Sequence, residues 1–214
     1  MAGTNRSTPR IYTAGAMRDD GEYTEWRRSI EDDLDEIVFY HPEGFSHKHS
    51  GFSVNGAVSE DMAAIRAADG LLAYITETPQ VGTITEVLHA VHTGIPTLVL
   101  FDYGNTEGVV GGMITGDEDD YELKEHRYSA EIEPLQVRGH ASDHWFLINY
   151  LVGDSDSKSV QPAEVEGHLP GTIQQWSGMR EATVMAVPNK EDIQAAVYDW
   201  IETEFGIDTA STMI

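Results

Sequence analysis

Apolar residues along this chain switch repeatedly between strand-like runs and helical spacing. Residues 10–15 (Arg-Ile-Tyr-Thr-Ala-Gly) read as a short strand ending at a glycine, followed by a polar loop from Met17 to Glu22. Tyr23, Trp26, Arg27, Ile30 and Leu34 then fall on one helical face, which predicts an amphipathic helix over about 22–35. Ile37 to Tyr40 is a second strand, stopped by His41-Pro42. Residues 43–57 are rich in Gly, Ser and His and read as loop. Ser59 is placed to cap a helix with Met62, Ile65 and Ala68 inward, ending near Gly70. Leu71 to Ile75 is an uninterrupted apolar run, as in a strand buried on both faces. Ile84, Val87, Leu88 and Val91 mark a further helix closed by Gly94, and Pro96 to Phe101 is the next strand.

Regularity fails between Asp102 and Glu166, where 15 Asp/Glu face four Lys/Arg. This stretch reads as a long, acidic, partly ordered insertion with one apolar island, Trp145 to Val152. Residues 182–187 form a last strand, and Asn189 is placed to cap a helix with Ile193, Ala196, Val197, Trp200 and Ile201 inward. Strands alternating with helices predict an α/β, doubly wound, mostly parallel five-stranded sheet in a single domain spanning 1–214, with the insertion at about 102–166.

Composition narrows the classes of function. The 214 residues carry a formal charge of −24, which disfavours nucleic acid and anionic membranes as partners. Only four of the 13 basic residues are lysines, a balance expected of a halophilic protein whose self-repulsion is screened by salt. With no cysteine, disulfides, Cys–zinc sites and Cys nucleophiles are excluded. No apolar run reaches the ~18 residues of a membrane span, and the polar start is unlike a signal peptide, so a cytoplasmic protein is expected.

In an open parallel sheet, ligands bind beyond the carboxyl ends of the strands. Standard phosphate-binding glycine motifs are missing there. Two carboxylates stand out. Glu86, in Gly82-Thr83-Ile84-Thr85-Glu86, either closes a capping box with Thr83 or serves as nucleophile or base at a helix N-terminus. Asp61 is either a first-turn acid behind Ser59 or a pocket group handling a proton on a leaving group. One nucleophilic and one acidic carboxyl are the parts needed to break a glycosidic bond. Tyr12 is either strand core or the hydroxyl that orients Glu86. His41, His47 and His49 are loop histidines near the binding mouth or, with Glu43, a metal site of no standard spacing; no metal and no cofactor are expected.

Together these segments resemble the nucleoside 2-deoxyribosyltransferase family. The residues that carry the resemblance are Ile11-Tyr12-Thr13-Ala14-Gly15-Ala16, Trp26-Arg27, Asp61, Ala68-Asp69-Gly70-Leu71-Leu72-Ala73, Gly82-Thr83-Ile84-Thr85-Glu86, Ala90 and Gly94-Ile95-Pro96, all within about 10–101. The resemblance implies a flavodoxin- or Rossmann-like sheet. It assigns Glu86 as nucleophile, Tyr12 as its orienting partner and Asp61 as the group assisting departure of the base. Gly15, Gly82 and Gln80 then line the substrate, Gln80 standing where many members carry Asp. Members complete the pocket with an Asn-x-Met segment from a neighbouring subunit. Asn149-Tyr150-Leu151 is the matching segment, with Leu for Met, and implies a homo-oligomer. Gly15 to Gly21 also resembles the phosphate loop of the related deoxynucleoside 5′-monophosphate N-hydrolases, with Arg18 on the phosphate.

Three functions follow as expectations. The first is cleavage of the N-glycosidic bond of a 2′-deoxynucleoside with transfer of the sugar to another base through a covalent Glu86 adduct. The second is hydrolysis of a deoxynucleoside 5′-monophosphate. The third is a non-catalytic nucleotide-binding module. The partners in all three are small molecules: a nucleoside or nucleotide and a nucleobase.

Overall fold

The computed structural model describes residues 8–15, 25–32, 34, 36–42, 54–75, 80–102, 145–152, 155, 157–165, 167–207 and 209. Seven strands form one sheet: β1 (Arg10–Gly15), β2 (Val38–Tyr40), β3 (Gly70–Ile75), β4 (Thr97–Asp102), β5 (Ser157–Val160), β6 (Ile173–Ser177) and β7 (Ala182–Val187). Their spatial order is β2-β1-β3-β4-β7-β6-β5. The first five in that order run parallel. β6 lies antiparallel to β7, and β5 antiparallel to β6. The α/β, doubly wound fold and its five parallel strands are as expected, but the sheet has seven strands rather than five. The two extra strands, Ser-Lys-Ser-Val and Ile-Gln-Gln-Trp-Ser, lack a continuous apolar run. Antiparallel strands at the side of a sheet keep part of their surface in water, so their pattern is weak.

Among the described residues five helices cover the sheet: α1 (Glu25–Glu31), α2 (Val54–Ala67), α3 (Val81–Thr93), α4 (Trp145–Val152) and α5 (Ile193–Phe205). Because side chains alternate along a strand, β1 divides its residues between two cores. Ile11 packs with Trp26 and Ile30 of α1 and with Trp200 and Ile201 of α5. Tyr12 and Ala14 pack with Ile65 of α2, with Val87 and Ala90 of α3 and with Leu151 of α4. β3, buried at every position, lies between these layers. Among the described residues no helix is long and apolar enough to cross a membrane.

Several local expectations are corrected. α1 spans only Glu25–Glu31, although Leu34 beyond it is still buried. α2 begins at Val54, so Ser59 is interior and its hydroxyl donates to the Asn55 carbonyl at 2.7 Å rather than capping. Asp61 is therefore not a first-turn residue. Helical hydrogen bonding runs through Asn55-Gly56 despite their low propensity, a local preference that tertiary packing overrides. Asn189 does not cap α5 either. A 3-10 turn, Lys190–Asp192, intervenes, and Asn189 donates through N and Nδ2 to Oδ2 of buried Asp192. α3 does end at Gly94, which sits at φ 77° and donates to the Ala90 and Val91 carbonyls.

The acidic insertion is more regular at its end than its composition suggests. Residues 103–144 lie outside the described residues, but α4 and β5 belong to the sheet assembly. Leu147, Ile148, Leu151 and Val152 of the apolar island enter the chain's own core. Leu151→Ala is therefore expected to lower stability by ~2–5 kcal/mol. Denaturant melts at two protein concentrations check this. A loss that vanishes at low concentration would place Leu151 between subunits instead.

Candidate functional site

Strand order singles out the region beside β1. The chain leaves β1 through α1 on one face, then returns from β2 through α2 on the other face to β3. Winding thus reverses between β1 and β3, the switch point at which such sheets open toward ligands.

Tyr12 and Glu86 meet across this region. Tyr12, in the middle of β1, is wholly buried and turned toward α2 and α3. Its hydroxyl donates to Glu86 Oε1 at 2.8 Å. Both readings of Tyr12 hold at once: its ring is core and its hydroxyl holds Glu86. Glu86 lies in the second turn of α3, whose N-cap residue, Gln80, makes no side-chain cap hydrogen bond, and Thr83 is buried in the first turn. The capping-box alternative therefore fails, since the carboxyl serves Tyr12 rather than the helix start.

The electrostatics follow from burial. Removal from water pushes the Glu86 carboxyl up to about 7; the Tyr12 hydrogen bond lowers it, the Asp61 carboxyl raises it and the Arg27 guanidinium lowers it. Burial and the same two carboxyls hold the Tyr12 phenol far above its usual range, so it stays a donor. Asp61 acts electrostatically on both groups from α2, and its Oδ1 is withdrawn from solvent. Glu86, Asp61 and Tyr12 thus come together from three separate elements. Burial thus raises the Glu86 carboxyl against the field of the helix N-terminus, which favours the ionised form. The site is dry enough for desolvation to outweigh that field.

The other candidates are placed as follows. Gln80 is buried immediately before α3, and its carbonyl accepts from Ile84 N at 2.9 Å. Gly82 lies one turn before Glu86, on the same helix face, and a Cβ there would meet no described atom within 4 Å. Gly15 stands at the carboxyl end of β1 against α1. A Cβ on it would come to 3.1 Å from Arg27 Nη2 and 3.3 Å from Trp26 Cζ2, so its bareness lets α1 press against β1. Asn149 lies on α4, with its side chain outside the described residues, and Arg18, His47 and His49 lie outside them altogether. His41 Nδ1 is 2.8 Å from Thr13 Oγ1 and its Nε2 is 3.2 Å from Glu31 Oε2. Among the described residues, no three His, Cys, Asp or Glu side chains gather as a metal ion requires.

Arg27 is a buried charged residue beside the site that the sequence pattern did not single out. Its guanidinium is wholly buried, lies 4.9 Å from the Trp26 ring centre, and donates from Nε to Thr13 Oγ1 at 3.2 Å. The signal was present, since an arginine fell within the apolar stripe of α1.

No family model and no curated protein matches the chain. Among solved structures it is similar to a 2-deoxyribosyltransferase from the psychrotolerant bacterium Bacillus psychrosaccharolyticus, at 15% identity. That likeness covers 61% of this chain and 98% of the other, with a TM-score of 0.39. It is also similar to a 2-deoxyribosyltransferase from Leishmania mexicana, at 21% identity, over 47% of this chain and 67% of the other, with a TM-score of 0.37.

Proposed function

We propose that the protein cleaves the N-glycosidic bond of a 2′-deoxynucleoside and transfers the deoxyribosyl group to another nucleobase. The observation that carries this reading is the Tyr12–Glu86 hydrogen bond at 2.8 Å, with Asp61 acting on both groups beside the switch point. The motif resemblance over residues 10–101 supports the choice of a glycosidic substrate.

Glu86 in its ionised form attacks C1′ of the sugar. The bond from C1′ to the base nitrogen breaks, and its electron pair leaves with the base. Asp61 contacts the departing base and assists the proton it takes up. The Tyr12 hydroxyl holds Glu86 Oε1, which orients the carboxylate and sets which oxygen attacks. A partly desolvated carboxylate is a better nucleophile than a hydrated one. An incoming base then attacks C1′ of the glutamyl ester, releases Glu86 and gives net retention through two inversions.

Product analysis tests this. Incubation with a 2′-deoxynucleoside and a different free base, in low and molar salt, is expected to yield the new deoxynucleoside. Free base and sugar phosphate from a 5′-monophosphate, with no exchange, would make the protein the hydrolase. Binding without turnover of any substrate, unaltered by loss of Glu86, would make it a binding module.

A further inference from the structure

Gly82 is a glycine that neither the backbone nor the packing requires. Gly94 ends α3 at φ 77°, where a side chain would be strained. A Cβ at Gly178 would come within 2.9 Å of the Leu151 carbonyl oxygen. Gly82 has neither reason. Its φ is not positive, and a Cβ there would meet no described atom within 4 Å. It stands in the first turn of α3, where alanine would serve the helix better.

Its place on the helix supplies a reason. Gly82, Glu86 and Ala90 recur at every fourth residue, so they lie on one face of α3. Gly82 is exposed, Glu86 is half-buried and Ala90 is wholly buried in the core. The face therefore descends from water into the core, and Glu86 is reached from the Gly82 end. That end follows the carboxyl end of β3, on the side where such a sheet opens toward ligands. A helical side chain leans back over the turn before its own Cα, and for Glu86 that turn holds Gly82. Tyr12 holds Oε1 of the same carboxyl from the core side, at 2.8 Å.

In an in-line displacement the leaving base lies on the side of C1′ away from the attacking oxygen. The part of a nucleoside that rests beside Glu86 is then the sugar ring. We propose that Gly82 is a specificity-determining residue, left bare so that the deoxyribose lies against α3 with C1′ at the Glu86 carboxylate. This rests on the reading of Glu86 as the nucleophile. A side chain at position 82 would fill the seat of the sugar and hold C1′ off the carboxylate, while leaving the fold and the Tyr12–Glu86 bond in place.

The test is a size series, Gly82→Ala and Gly82→Leu, with Val81→Leu as control; Val81 is the neighbouring residue and is 76% exposed. Urea melts are expected to show both Gly82 variants at least as stable as wild type. Turnover of thymidine and of 2′-deoxyadenosine, each with a different free base as acceptor, should fall with side-chain size. The expected losses are about tenfold for Gly82→Ala and about 100-fold or more for Gly82→Leu, the scale on which a displacement of about 1 Å acts. Val81→Leu should match wild type. Both nucleosides should lose alike, because they share the sugar; a loss confined to one would place the base over Gly82 and overturn the proposal. Calorimetric binding of the two nucleosides to Glu86→Gln, with and without Gly82→Leu, reads the seat without turnover, and affinity should fall about tenfold or more. Equal turnover across the series, or losses that merely track a loss of stability, would also overturn the proposal. If Gly82→Leu does not fold, Gly82→Ala decides. Normal turnover in Glu86→Gln would instead fail the nucleophile reading, and the binding series would still decide whether the sugar lies over Gly82.

Discussion

Glu86→Gln is expected to fold and bind nucleoside while losing turnover by about 10,000-fold or more, the scale on which removal of a covalent nucleophile acts. The amide keeps the size of the side chain and an oxygen that can accept from Tyr12, so the 2.8 Å contact has a substitute. It cannot form the glycosyl ester. Tyr12→Phe, which removes only the orienting hydroxyl, should cost far less. Steady-state rates on a deoxynucleoside with acceptor base separate the two variants. Near-normal turnover in Glu86→Gln would sink the covalent mechanism, and equal losses in both variants would make Glu86 a holder of Tyr12.

The second large effect is on pH dependence, and it runs in opposite directions for activity and stability. A carboxyl that acts as nucleophile must be ionised, and burial raises the Glu86 carboxyl from 4.5 to about 7. Turnover should therefore fall about tenfold per unit below pH 6 and level off above about pH 8. Stability behaves in the reverse sense. A carboxyl whose folded pKa lies above its unfolded value binds its proton more tightly when folded. Its contribution is fully present below the unfolded value and is lost as pH rises through the folded one. Between about pH 4.5 and pH 8 the wild type should lose on the order of 3 kcal/mol from this residue. Glu86→Gln should be spared that loss, and so should be the more stable protein at pH 8 although inactive. Urea melts of both proteins at pH 5 and pH 8 measure the difference. Parallel changes in the two proteins would show that Glu86 is not desolvated as described.

The opposed effects have one origin. Folding places an ionisable group where water cannot solvate it, and the same desolvation that weakens the fold sharpens the reagent. The Tyr12 hydrogen bond moderates the strain by stabilising the ionised carboxyl.

Much of this was legible in the sequence, because it depends on local pattern. Leu71 to Ile75 announced a central strand, for only a strand covered on both faces needs apolar residues at every position. Ile193, Ala196, Val197, Trp200 and Ile201 announced the inner face of α5 by spacing alone. Glu86 and Asp61 could be picked out as candidates from their places after and before buried strands. What the sequence left open was which of two partners each polar group would take. Glu86 had a local partner in Thr83 and a distant one in Tyr12, 74 positions away, and only the packing of α3 on β1 decided for the latter. Arg27 shows the same limit. Its place in an apolar stripe was visible, but the meaning of a buried charge depends on Thr13 and Gly15, which lie on another element. Strands β5 and β6 went unread because half-solvated strands at the side of a sheet carry no run that distinguishes them from loop. Periodicity is written along the chain and survives in the sequence, whereas desolvation and charge balance arise when distant segments exclude water together, and these only the tertiary structure decides.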